Sequence, residues 1–278
     1  MPLFLNIIMA KQIPMILDTI MEAVTLRIKK DKERIPLSKM TALAESLNKD
    51  TGFPFEKALK NKNIDFICEV KKASPSKGII DEDFPYLTIA KEYEAAGAAC
   101  ISVLTEPEFF KGSDSYLTEI RQVVSLPLLR KDFIVEPYQI YQSKVIGADC
   151  ILLICSLLEE NKLARYLELC NELGLSALVE AHNEEEVRKA IACKARIIGV
   201  NNRDLKTFQV DLNNSLRLRR LVPENTLFIA ESGIKSAEDI EVLRKAKIDG
   251  VLIGETFMRA KDKGQMLKEL RGREYDQN

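Results

Sequence analysis

Short runs of β-forming apolar residues return at a near-constant interval through most of this chain, and that rhythm constrains the fold more than any single residue does. The runs open near Phe66, Cys100, Leu126, Cys150, Ser176, Ile197, Thr226 and Gly250, so successive starts lie 21 to 34 residues apart. Alternate runs repeat at close to 50 residues, and two share wording, Gly97-Ala-Ala-Cys-Ile101 and Gly147-Ala-Asp-Cys-Ile151. An interval of this length holds one strand and one returning helix. The runs are nearly continuous in apolar residues rather than alternating, as parallel strands buried on both faces require. Eight such units predict an α/β fold, a (β/α)8 TIM barrel. An open doubly wound sheet is the alternative that the same units allow.

Helix ends are readable between the runs. Ser236-Ala-Glu-Asp239 is a capping box, and Asn183-Glu-Glu-Glu186 sets a cap and negative charge on a first turn. Gly97, Gly147 and Gly174 fall where helices should stop, because glycine accepts the left-handed position that ends them. Ile16, Ile20, Ala23, Val24, Arg27 and Ile28 follow helical spacing. The expectation is one barrel domain over 1–278, with an extension over 1–14, N-terminal helices over 15–60 and the barrel over 66–271. The opening residues lack the basic start and small-residue cleavage site of a secretory signal.

Charge and cysteine usage narrow the function classes. Lys and Arg total 41 against 42 Asp and Glu, without the basic excess that a nucleic-acid face needs. No apolar run reaches the ~20 residues of a membrane span. Six cysteines include no Cys-x-x-Cys pair, and one histidine, His182, leaves no Cys/His zinc cluster. The cysteines read as reduced core residues, which fits the cytoplasm.

The active site of such a barrel forms where the strands end. Run one, Phe66-Ile-Cys-Glu-Val-Lys71, ends with Glu69 and Lys71 on one side of the pleat. Run three delivers Arg130, Lys131 and Asp132, and run five delivers Glu180. Run six delivers Asn201 and Arg203, run seven Glu231, and run eight ends in Gly254-Glu255. One charge at a strand end is commonly a side chain leaving the core for water. Five or more strands aiming mixed lysines and carboxylates at one mouth are costly unless those groups are paired or used. The turns Ser232-Gly233-Ile234 and Ile253-Gly254-Glu255 follow the last two runs, the habitual phosphate position of this fold. With the loop Ser74-Pro-Ser-Lys-Gly78 they point to a small phosphorylated substrate. His182 reads as a surface histidine, Glu184-Glu-Glu186 as a solvated helix start, and Arg217, Arg219 and Arg220 as an exposed helix face. No metal ligand set stands out, since Lys71 and Lys131 share the mouth with the carboxylates.

The strand-end motifs resemble those of the indole-3-glycerol phosphate synthase family. The likeness rests on Glu69-Val-Lys-Lys-Ala-Ser-Pro-Ser-Lys-Gly78, on Leu104-Thr-Glu-Pro with Phe110 and Gly112-Ser113, and on Leu129-Arg-Lys-Asp-Phe-Ile134. Val179-Glu180, Gly199-Val-Asn-Asn-Arg-Asp-Leu205, Ala230-Glu-Ser-Gly-Ile234 and Leu252-Ile-Gly-Glu255 complete it, in register over roughly residues 15–271. The resemblance implies a cofactor-free lyase of tryptophan biosynthesis acting on 1-(2-carboxyphenylamino)-1-deoxyribulose 5-phosphate, and the residues themselves offer no metal site. It assigns the ring-closing acid to Lys131, and to Lys71 a place near the substrate carboxylate and in proton transfer. Glu180 is implied as base or as stabiliser of positive charge, Glu69 as the group orienting the lysines. Asn201 is implied to hold a substrate hydroxyl and Glu231 to complete the network. Ser74, Phe110, Arg203, Ser232, Gly233, Gly254 and Glu255 are implied to surround substrate or phosphate. The motif leaves open which lysine serves dehydration, and other tryptophan-pathway enzymes stay open as partners. A phosphoribosylanthranilate isomerase, an epimerase or a binding subunit built on a degenerate barrel are the competing readings. The two enzymes need no lysine pair on runs one and three, and a degenerate barrel should have lost some of the strand-end charges, none of which is missing.

Overall fold

The computed structural model describes residues 2–61, 63–204 and 209–272, with side chains from residue 17 onward. Eight strands follow the expected rhythm: β1 (Asp65–Val70), β2 (Cys100–Leu104), β3 (Leu128–Lys131), β4 (Cys150–Ile154), β5 (Ser176–Ala181), β6 (Ile197–Asn201), β7 (Leu227–Glu231) and β8 (Gly250–Ile253). All pair in parallel with their neighbours, and β8 closes on β1 in the register Asp65 to Gly250, so the sheet is a closed barrel rather than an open one. A two-stranded hairpin, Ala73–Ser74 against Gly78–Ile79, stands in the loop after β1.

Three helices precede the barrel: α1 (Pro2–Arg34), α2 (Leu37–Glu45) and α3 (Pro54–Ala58). The return helices are α4 (Tyr86–Ala95), α5 (Asp114–Arg121), α6 (Pro137–Val145), α7 (Glu160–Glu172), α8 (Glu184–Ala192), α9 (Asn213–Arg219) and α10 (Ala237–Lys245). After β8 come α11 (Glu255–Arg259) and α12 (Lys263–Arg271). The capping box at Ser236 and the Asn183 cap are present, and Gly97, Gly147 and Gly174 all take positive φ at helix ends.

Strand parity divides the core in two. Outward residues such as Phe66, Cys68, Ile101, Val103, Ile151, Val179, Ile198 and Phe228 pack against the helices. Inward residues Ile67, Leu129, Leu152, Leu178, Ile197, Ile229 and Leu252 fill the barrel, and Phe55 and Leu59 at α3 join that inner cluster. Burying a side chain of this size contributes roughly 1.5–3 kcal/mol, so the barrel floor is a packed core and only the opposite end is free for chemistry.

α1 begins at Pro2 and runs through Met15, so the N-terminal extension and the opening helix are one continuous helix. One local expectation is corrected. Arg219 is buried rather than on an exposed face. Its Nε donates to the Lys247 carbonyl at 2.8 Å and its Nη1 to the Val222 carbonyl at 2.8 Å, while Arg217 and Arg220 stay exposed. A guanidinium has enough donors to be satisfied by backbone alone, which periodicity does not reveal.

Candidate active site

Parity along each strand selects which polar side chains reach the mouth. On β1 the inward series Ile67, Glu69 continues to Lys71 just past the strand. Lys71 Nζ donates to Glu69 Oε1 at 2.5 Å. On β3 Leu129 faces in, so Lys131 does too, and on β5 Leu178 is followed by Glu180. Lys131 Nζ lies 3.1 Å from Glu180 Oε2 and 3.8 Å from Glu231 Oε2 of β7. Residues of β3, β5 and β7 thus meet around one ammonium group, with Glu69 of β1 close enough to act on its charge.

Opposite parity removes two expected mouth residues. Arg130 and Asp132 point outward, between barrel and helices. Arg130 is 1% exposed and donates to Thr105, Ser143, Gln142, Asp114 and Asp132. Asp132 Oδ1 accepts from Arg27 Nη2 of α1 at 2.8 Å, and Oδ2 accepts from the Thr105 hydroxyl at 2.8 Å. These charges fasten α1 to β3 and do not reach the mouth.

Glycine makes the space for the cluster. A Cβ on Gly199 of β6 would sit 2.2 Å from Glu231 Oε1, and one on Gly254 would sit 2.1 Å from Glu69 Oε1 and 2.8 Å from Lys71 Nζ. Real Cβ contacts are never this close, so the carboxylates hold these positions only because the side chain is missing.

The electrostatics follow from burial and sharing. Burial works against the Lys131 charge, but Glu180, Glu231 and Glu69 outweigh it and raise its pKa above the ordinary lysine value. Burial alone would push the Glu180 carboxyl up, yet Lys131 and His182 hold it well below the usual carboxylate range, helped by Asn201. Glu231 goes the other way, pushed up to about 8 by burial first and then by the Glu180 charge. Two carboxylates in one site divide in this way, one ionised and one protonated. Glu231 Oε1 is buried without a hydrogen-bond partner and lies in the space that Gly199 leaves open.

The loops around this centre hold the remaining expected residues. Ser74 is in the hairpin after β1 and is buried. Lys77 at its tip pairs with Glu255 at 3.3 Å, and Glu255 also accepts from Arg259 at 3.1 Å. Phe110 stands against Phe133 with ring centroids 6.2 Å apart. Asn201 Oδ1 accepts the Arg203 backbone N–H at 3.0 Å, and Arg203 bridges to Val210. Leu205, the last residue of that motif, lies outside the described residues. Ser232 and Gly233 both have positive φ, and a Cβ on Gly233 would meet Val210 Cγ1 at 2.2 Å.

Sequence reasoning missed two residues. Glu106 is buried, and its carboxylate accepts the backbone N–H groups of Glu108, Phe109 and Phe110 at 2.7–3.0 Å. It shapes the loop that carries Phe110, a use that a carboxylate at a loop start does not advertise. His182, expected on the surface, has a side chain only 14% exposed and lies 3.4 Å from Glu180. Its signal was parity: two residues past Glu180, it falls on the same face.

The family model described as indole-3-glycerol phosphate synthase matches residues 17–270. A protein of that name from Ruminiclostridium cellulolyticum is 55% identical over 258 residues, covering 93% of this chain and 99% of its own length. Its namesake from Endomicrobium trichonymphae is 54% identical, covering 92% of this chain and all of its own (100%). Among solved structures, the 3-hexulose-6-phosphate synthase of Salmonella typhimurium superposes with a TM-score of 0.61 at 10% identity, covering 74% of this chain and 96% of its own. Thiamine phosphate pyrophosphorylase from Pyrococcus furiosus gives 0.57 at 17% identity, covering 77% and 96%. At such identities the structures share the fold alone.

Proposed function

The chain belongs to the indole-3-glycerol phosphate synthase family, and from that premise we propose how its own side chains carry the reaction. The activity is that of a carboxy-lyase of tryptophan biosynthesis. It closes 1-(2-carboxyphenylamino)-1-deoxyribulose 5-phosphate to indole-3-glycerol phosphate, with loss of CO2 and water. Ring closure joins the carboxylate-bearing ring carbon to the ribulose carbonyl carbon, and the carbonyl oxygen must gain a proton as it becomes a hydroxyl. Lys131 is the donor, because it is the cation at the centre of the mouth and is kept charged chiefly by Glu180 on another strand, with Glu231 beside it. That placement is the observation which carries the reading. Departure of CO2 then returns an electron pair to the ring.

Dehydration needs a proton delivered to the leaving hydroxyl and another removed from the carbon beside nitrogen. Glu180, held ionised, is the base and also faces the positive charge that grows on the ring nitrogen. Lys71, paired with Glu69, stands where a substrate carboxylate can replace Glu69 as its partner. Asn201 holds a substrate hydroxyl, and Glu231 completes the network around Lys131. Ser74, Arg203, Ser232, Gly233 and Glu255 surround the phosphate, while Gly254 leaves room for the Glu69–Lys71 pair. Because Glu255 is an anion already committed to Lys77 and Arg259, its contribution is its backbone. Phe110 contacts the anthranilate ring.

All six cysteines are free, five of them buried, which supports a cytoplasmic setting. Enzymes that supply or consume these intermediates are the protein partners this activity suggests. The test is to incubate the chain with the substrate, following indole fluorescence and CO2 together. Equal molar formation of both is expected; CO2 without the fluorescent product, or neither, overturns the reading.

A further inference from the structure

His182 is the chain's one histidine, and it sits between two carboxylates at the edge of the mouth. Its backbone N–H donates to Glu186 Oε2 at 2.8 Å, and its ring Nδ1 lies 3.2 Å from the same oxygen. Glu186 is itself fixed, since its Oε1 accepts from Asn183 Nδ2 at 3.1 Å and its N–H bonds the Asn183 cap at 3.0 Å. Asn214 donates to the His182 carbonyl at 3.1 Å, so the turn cannot easily rotate away. An ionised Glu186 only accepts, so Nδ1 must carry a proton. That leaves Nε2, which is buried, lacks a hydrogen-bond partner and faces Glu180 Oε1 at 3.4 Å. A bare Nε2 would turn its lone pair on a carboxylate, whereas a protonated one presents N–H. The groups facing the ring are Glu180 of β5, Glu186 of α8 and, further off, Glu231 of β7.

We propose that His182, clamped by Glu186, is a positioning residue whose imidazolium fixes Glu180 as the ionised member of the Glu180–Glu231 pair. This inference rests on the function proposed above and names how its base is held in the working protonation state. Lys131 grips Glu180 through Oε2 and His182 faces Oε1, so the carboxylate is oriented from both ends. Loss of the imidazolium raises the affinity of Glu180 for a proton, so the competent base is lost at a higher pH as the solution is acidified.

Two measurements test it. Tag-free protein has a single imidazole, so its 15N resonances titrate without overlap. A titration midpoint above the ordinary histidine value of about 6.5 is expected, with Nδ1 protonated throughout, and Glu186→Gln and Glu180→Gln should each lower that midpoint. A midpoint at or below the ordinary value, unmoved by either substitution, overturns the proposal without reference to turnover. In the kinetic arm, His182→Gln keeps an amide near Nε2 but no charge. It should move the acid limb of the kcat profile to higher pH by about one unit, with KM and the kcat plateau at neutral pH little changed. Glu186→Gln should move that limb in the same direction by less, and it keeps the test open if His182→Gln folds poorly. Unchanged limbs in both variants overturn the proposal. A parent protein that forms no indole product would instead remove the reading of function, and the imidazole titration would still decide the clamp.

Discussion

At the scale of single residues, the mouth depends on small gaps as much as on charges. Gly254 was expected to serve the phosphate, yet the atoms nearest its missing Cβ belong to the Glu69–Lys71 pair. Gly254→Ala is therefore expected to lower kcat through displacement of that pair, with a smaller change in KM. A rise in KM alone would return Gly254 to the phosphate. Gly233 differs, with φ +86° and Val210 in the way, so Gly233→Val should raise KM and weaken competition by inorganic phosphate. Equal phosphate inhibition constants in both proteins would put the anion elsewhere. The Glu231 carboxyl binds its proton more tightly when folded, with a pKa raised to about 8 by burial and then by Glu180. Its contribution to stability is complete below the unfolded value near 4.5 and is lost as pH rises through about 8. Between pH 6 and 8.5 the parent should lose more thermal stability than Glu231→Gln. Parallel melting curves against pH would show that the carboxyl is not held protonated.

At the scale of elements, the fastening of α1 to β3 runs through one buried aspartate. Asp132→Ala would take from buried Arg130 one of its two carboxylates, leaving Asp114, and would take from Arg27 its ion pair, a loss of about 3 kcal/mol. Arg27→Ala should cost less, because Asp132 keeps Arg130 and Thr105. Urea midpoints at equal slope check the order, and a larger loss for Arg27→Ala would reverse it. The same triplet shows where the sequence was legible and where it was not. The strands announce themselves because both of their faces are apolar, so their starts are readable to within about two residues. Arg130, Lys131 and Asp132 look alike at a strand end, and only the alternation set by inward Leu129 assigns Lys131 to the mouth. His182 was hidden for a related reason. It lies beyond the last strand residue, where parity stops being guaranteed, and its clamp comes from α8, a helix start that resembles an ordinary solvated cap. Arg219 was hidden because its partners are carbonyls, which carry no side-chain signature.

At the scale of the whole molecule, closure of the sheet turns strand ends from distant parts of the chain into one ring, with a packed floor below and groups of both signs above. Among the described residues no three His, Cys, Asp or Glu side chains are arranged to hold a metal ion. Lys71 and Lys131 already supply the cations that these carboxylates face. Turnover is therefore expected to be unchanged after exhaustive dialysis against EDTA, and a loss restored by one particular divalent ion would contradict this. The central claim is that Lys131, held charged by carboxylates from separate strands, donates the proton on which ring closure depends. Steady-state turnover of the carboxyphenylamino substrate by the parent and by Lys131→Ala, followed through indole fluorescence, tests it most directly. The account predicts a fall in kcat of ~10²–10⁴-fold, as loss of a general acid produces, with KM changed far less. A Lys131→Ala enzyme with near-parental kcat would contradict it.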